Sequence, residues 1–174
     1  LRKGIYKIDE GATEVWRAPY PEWSHLSGLA SRDHLVSSNE VDGRIFVWSM
    51  AGGVTVLDSE DGGHVLSTIV SLPDSLSGVR HSNEGGWLLL LNSGGIALLE
   101  DLESEPLVVR TPGPVSDAVH DGKCWKWTGW RHDGVLIDGE VQCIAREQIG
   151  VALVSDRVLT NDGRWDDFGL NHSD

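Results

Sequence analysis

Carboxylates, amides and indoles gather at a few short stretches of the chain. Asn39, Glu40 and Asp42 fall close together, Trp130, Arg131 and His132 are consecutive, Trp23 and His25 flank a single serine, and Asn92 and Asn161 each close an apolar run. Oxygen donors of this kind suit a hard divalent cation, and an indole beside carboxamides suits a sugar or a peptide. A divalent cation, if one binds, would draw on Asn39, Glu40, Asn92 and His132. Turn geometry competes with chemistry at these positions, because Asn and Asp tolerate left-handed backbone and bond to their own main chain.

Reactions leave no comparable trace. The sequence holds no G-x-S-x-G elbow, no glycine-rich phosphate loop, no H-E-x-x-H and no C-x-x-C. Asp58, Glu60 and Asp61 before Gly62-Gly63 have the composition of a calcium loop, but lack its D-x-[DN]-x-[DN]-G order and closing Glu, which leaves an acidic turn. No catalytic residue is assigned, and no cofactor is expected apart from that divalent cation.

Charge narrows the partners. The formal net charge of the 174 residues is −13, with ten Arg and four Lys, so a phosphate backbone would be repelled from most directions and nucleic acid is set aside. No apolar run approaches the ~20 residues that cross a bilayer, and LRKGIYKIDE lacks the apolar core of a signal peptide. The expectation is a soluble chain with no membrane insertion, its compartment left open. Cys124 and Cys143 fall two strands apart in one sheet, about 10 Å, too far for a disulfide, and both thiols are expected free.

The elements that must position these groups are short strands. Twenty-one glycines, six prolines and brief apolar bursts suit strands and tight turns, and no helical stripe runs for three turns. One element recurs: LSGLA from 26, LSGVR from 76, VSDAV from 115 and IGVAL from 149. Three further apolar runs follow each of the first three: HLVSSN, GRIFVWS and GVTVLDS; WLLLLNS, GIALLED and PLVVRTP; CWKWTGW, GVLID and EVQCIARE. Asp-Gly pairs at 42, 61, 121, 133, 138 and 162 supply turn chemistry, since both residues take positive φ readily.

Four-strand units repeated at this spacing are the blades of an all-β propeller. The blades fall at about 24–60, 66–112 and 113–147, and the fourth joins 149–174 to 1–20, GIYKID and TEVWRAP being its third and fourth strands. One four-bladed domain over 1–174, closed by pairing of its terminal strands, is the first count; consecutive blades of a larger propeller are the second.

GIYKID-x4-TEVWRA followed by LSGLAS-x4-LVSSNEVDGRIFVWS-x3-GVTVL resembles propellers of the gluconolactonase (senescence marker protein) and NHL-repeat group. That resemblance implies a divalent cation held by Glu, Asn and Asp side chains, several placed just before the Gly of a first strand. Here Ser27 precedes Gly28, Ser77 precedes Gly78, and Asp117 is shifted in the third element, so the ligand positions are not matched. A WD-repeat assignment fits less well, because Gly63-His64 and Trp165-Asp166 occur once each and far apart.

Propeller logic brings the loop entering a first strand and the loop joining the second and third strands to one face. That face would collect Trp23, His25, Asn39, Glu40, Asp42, Asn92, Trp130, Arg131, His132 and Asn161. Trp16, Trp48, Trp87, Trp125 and Trp127 lie inside apolar runs and are expected to pack between blades, which leaves Trp23 and Trp130 as the better ligand contacts. Two function classes follow. One is a non-catalytic binding or structural module for another protein or a carbohydrate, for instance in an assembly or a virion; the other is a gluconolactonase-like hydrolase with a divergent metal site.

Overall fold

The computed structural model describes residues 4–23, 36–137 and 139–170. The chain divides into two compact units, Leu1–Ser71 and Leu72–Asp174. Every regular element among the described residues is a β-strand, and none is a helix that could cross a membrane.

The first unit carries β1 (Gly4–Ile8), β2 (Glu14–Pro19), β3 (Val36–Val41), β4 (Arg44–Ser49), β5 (Gly53–Asp58) and β6 (His64–Ile69). β1 and β2 form an antiparallel ribbon, and β3 to β6 form a four-stranded meander. Asp42 and Gly43 reverse the chain between β3 and β4 with φ of 50° and 72°, the two positive angles that a tight hairpin needs to follow strand twist. Trp16 and Ala18 of β2 bury against Leu57 of β5. The indole Nε1–H of Trp16 and the ammonium of Lys7 both donate to the carbonyl of Ser59, at 3.1 and 2.9 Å, so this ribbon is tied as well as packed.

This sheet spans residues 36–69, where the sequence suggests 24–60. Val36–Val41 supplies the first strand of this sheet and HVLSTI the fourth. Alternating Val65, Ser67 and Ile69 with half-buried neighbours suits an outer strand that is wet on one side, a weaker signal than the solid apolar run of β4. LSGLA, with Ser27 and Gly28, lies outside the described residues.

Three sheets make the second unit. β7 (Leu76–Ser82), β8 (Gly86–Leu91), β9 (Ile96–Leu99) and β10 (Leu107–Val109) form one meander, and β11 (Val115–His120), β12 (Trp125–Gly129), β13 (His132–Ile137) and β14 (Glu140–Ala145) form the next. β15 (Gly150–Val154), β16 (Arg157–Thr160) and β17 (Trp165–Asp167) form the third. β11 packs beside β7 and β15. Leu88, Leu90 and Ile96 join Val115, Trp125 and Trp127 in one core, while Val135, Leu153, Val158 and Phe168 build another around Cys124. Each fully buried aliphatic side chain contributes about 1.5–3 kcal/mol.

The repeat is visible in backbone irregularities as well as side chains. The ladder slips between Leu76 and Gly78, between Val115 and Asp117, and between Gly150 and Ala152, at the same place in three first strands. This bulge aligns Asp117 with Gly78 and makes Ser116, not Asp117, the counterpart of Ser77. Asp117 then faces its neighbours: one carboxylate oxygen accepts from Arg80 Nε and Nη2 of β7 at 2.9 and 2.7 Å, and the other accepts from the Leu153 N–H of β15 at 2.8 Å. The shifted aspartate is a tie across three successive first strands.

Two assignments change in this unit. Asp133-Gly134 is not a turn but the start of β13, because Trp127 lies directly across the ladder and needs the bare Cα of Gly134, where a Cβ would meet the indole at 2.3 Å. Trp165–Asp167 fills the third place in the last sheet, which the sequence assigns to Gly4–Ile8. The Asp162-Gly163 turn, closed by the Thr160 hydroxyl on Asp162 at 2.6 Å, presents a neighbouring segment that costs far less loop entropy than a remote one. Both cysteines are free, Cys124 buried and Cys143 exposed.

Candidate binding face

In each sheet of the second unit, the residue that follows the second strand donates its N–H to the carbonyl that precedes the first. Asn92 donates to Ser75, Trp130 to Pro114 and Asn161 to Ile149, each at 2.9 Å. Asn92, Trp130 and Asn161 are therefore repeat-equivalent, and their main chain is fixed before any ligand arrives. At the middle position an indole replaces an amide, and it stands 58% exposed while Trp87, Trp125 and Trp127 are buried.

The rest of the turn explains how Trp130 is held out. Arg131 has φ of 59°, and its carbonyl accepts from the Arg146 N–H at 2.9 Å, so a left-handed residue is clamped at the tip. His132 points inward, 2% exposed, with Nδ1 3.0 Å from the Trp130 carbonyl. A carbonyl only accepts, so Nδ1 carries the proton. The imidazole is a brace under the indole's own residue instead of an exposed contact.

Asp133 anchors the floor below. Its fully buried carboxylate accepts from the Thr128 hydroxyl at 2.7 Å, from Arg146 Nη1 at 2.5 Å and from the Gly169 N–H at 3.0 Å. Arg146 also reaches Asp166 at 3.1 Å and the Asp167 carbonyl at 3.2 Å. The sequence places Asp133 on the expected face beside Arg131 and His132, but it gives no sign of Arg146 or Asp166 as its company, since these come from the segment after β14 and from β17.

The opposite end of these sheets is closed. His81 and His120 are equivalent through the bulge alignment, and each ring meets its cross-strand tryptophan at an angle, Trp87 tilted at 4.6 Å and Trp125 edge-on at 5.3 Å between ring centres. The indole of Trp125 donates to the Gly85 carbonyl of the adjacent sheet at 2.9 Å. Lys126 sits between Asp121 at 2.9 Å and Asp156 at 2.7 Å. Burial alone would lower its ammonium pKa, but hydrogen bonds to the two carboxylates outweigh this and hold it above the ordinary lysine value. Burial likewise opposes ionisation of Asp121, yet the bond from Lys126 and the N–H groups of Cys124 and Lys123 hold its carboxyl well below the usual range.

Other expected contacts are placed elsewhere. Trp23 is 7% exposed and packs with Val47 over Gly53, where a Cβ would strike the indole at 2.5 Å, so it is a core residue and not a surface contact. Asn39, Glu40 and Asp42 belong to the first unit's β3 and β3–β4 turn, the hairpin between first and second strands, because Val36–Val41 is a first strand. His25 lies outside the described residues. Asn39 and Glu40 thus stand in one unit and Asn92 and His132 in the other, with His132 turned inward. Among the described residues, no three His, Cys, Asp or Glu side chains gather where they would hold a metal ion. Asp58 and Asp61 bond to the Glu60 and Gly63 N–H groups, each at 2.7 Å, as turn residues do.

No known protein family and no curated protein matches the sequence. Among solved structures, the chain resembles the WD40 domain of Neurospora crassa Pan2, with a TM-score of 0.54 and 13% identity over 72% of this chain and 43% of that chain. The matched region thus spans less than half of the Pan2 domain. At this identity the likeness establishes the fold, a β-propeller of four-stranded antiparallel sheets. The scattered Gly-His and Trp-Asp dipeptides do not preclude this, because strand pattern and turn chemistry build a blade without them.

Proposed function

We propose that this chain is a non-catalytic binding module that takes a partner protein at the end of the second unit where Asn92, Trp130 and Asn161 stand. The exposure of Trp130 carries this reading. A large amphipathic ring offers contact area at low entropic cost, and here its backbone is fixed on both sides, so little ordering is left for binding. Arg131, its neighbour in the turn, supplies polar surroundings of the kind such an anchor uses. A place within a multi-subunit assembly is the setting this reading implies.

An array of short peptides of mixed composition, probed with the full chain and with Trp130→Ala, tests it. Loss of most bound peptides in the variant, with an unchanged circular dichroism spectrum, supports the reading. An unchanged binding pattern overturns the choice of face. A blank peptide array together with Trp130-dependent retention on immobilised oligosaccharides moves the partner to carbohydrate and overturns the protein reading.

A further inference from the structure

Hydrogen bonding around Trp130 is one-sided. The carbonyls of Gly113, Pro114, Trp130 and Arg131 already accept, from the Thr111 hydroxyl at 2.7 Å, the Trp130 N–H at 2.9 Å, His132 Nδ1 at 3.0 Å and the Arg146 N–H at 2.9 Å respectively. Donors are what is left over. Among the described residues neither the indole Nε1–H of Trp130 nor the guanidinium of Arg131 has an acceptor, and both side chains are exposed. Each of these groups donates and cannot accept. Apolar surface continues beside the indole, where residues 111–114 run past it with Pro112 and Pro114 exposed, and a Cβ on Gly113 would stand 3.7 Å from Trp130 Cδ1. The surface therefore suits a segment that brings carbonyls, flat apolar rings and few donors of its own.

We infer that the segment taken at Trp130 is a neutral, proline-rich stretch of the partner in the polyproline II conformation. Each proline contributes a C=O and no N–H, and the conformation leaves its carbonyls without internal bonds and already ordered. Its pyrrolidine rings lie against the indole and the exposed prolines, while the carbonyls between them accept from Trp130 Nε1 and Arg131. Two other chemistries fit less well. Carboxylates also only accept, but a net charge of −13 repels an acidic segment. A lysine-rich segment adds donors where the nearby carbonyls are taken, and it meets the like charge of Arg131. This partner chemistry rests on the binding face proposed above and narrows it.

Fluorescence anisotropy with three labelled peptides tests it: a neutral proline-rich peptide, the same peptide with Ala at every proline, and the same peptide with Glu at its other positions. The proline-rich peptide is expected to bind about tenfold more tightly than either counterpart. Trp130→Phe keeps an aromatic ring but loses the N–H, and should weaken that peptide about fivefold. Arg131→Gly removes the guanidinium from a left-handed position that glycine adopts freely, and should weaken it about threefold. Equal or tighter binding of the Ala or Glu peptide, or full affinity in either variant, overturns the proline-rich proposal. If Trp130→Ala nonetheless empties the peptide array, the face stands and only the partner chemistry falls; if Trp130→Ala changes nothing, the face itself falls.

Discussion

The two ends of the second unit's sheets are built from the same strands and come out differently. At the end where first strands meet second strands, His81–Trp87 and His120–Trp125 repeat, the Trp125 indole is bonded to the neighbouring sheet, and Lys126 is shared by two carboxylates. At the other end the repeat is broken by Trp130, whose ring is left in solvent above a buried Asp133–Arg146 pair. Repetition in these two sheets marks a shared packing device. Departure from it, where the backbone is still held in the common register, is what marks out the proposed binding face.

Changes at the two ends should therefore separate stability from binding. The largest loss is expected from Asp133→Ala, which strands the buried Arg146 and removes the acceptor for Thr128 and Gly169; about 3–5 kcal/mol should appear in urea unfolding. A smaller loss would show that Arg146 finds enough water or Asp166 to compensate. At the closed end, Lys126→Met should cost about 1–2 kcal/mol, since Asp156 is well exposed and can rehydrate.

The same variant has a pH signature. Asp121 is held low, so its contribution is fully present above the usual carboxylate range near 4 and is lost progressively as pH falls from there toward its lower folded value. Lys126 is held high, so its contribution is complete below its ordinary value of about 10.4 and is lost as pH rises beyond. Lys126→Met should flatten both limbs of a plot of unfolding midpoint against pH, and parallel curves for the two proteins would refute the coupling. Trp125→Phe keeps an aromatic ring beside His120 but removes one bond to Gly85, an expected loss of about 1 kcal/mol in thermal unfolding. Trp130→Ala should change stability least, within about 0.5 kcal/mol, while abolishing peptide binding. A stability loss as large as that of Trp125→Phe would make Trp130 a packing residue and erase the contrast.

Much of the architecture was legible because its causes are local. Alternating or solid apolar runs of strand length, and an Asp-Gly pair between two of them, announce β3, β4 and their hairpin without reference to anything distant. LSGVR, VSDAV and IGVAL announce β7, β11 and β15 for the same reason. LSGLA shares the wording of these elements but lies outside the described residues, and the outer strand β6 has too mixed a pattern to stand out.

The site was legible only in part. Trp130, Asn92 and Asn161 end apolar runs and take equivalent places in the repeat, but Trp23, in the same kind of context, proved to be core once Gly53 lay beneath it. Asp133-Gly134 reads as a turn in any local window and becomes a strand because Trp127 occupies the space above Gly134.

Interactions between near neighbours settle the all-β class, the four-stranded repeat and most turn positions, since side-chain periodicity and φ preferences are written into consecutive residues. Which tryptophan meets water and which carboxylate is buried is settled by folding alone, because those outcomes depend on what a distant strand places within a few ångströms, and no residue carries that information in its own type.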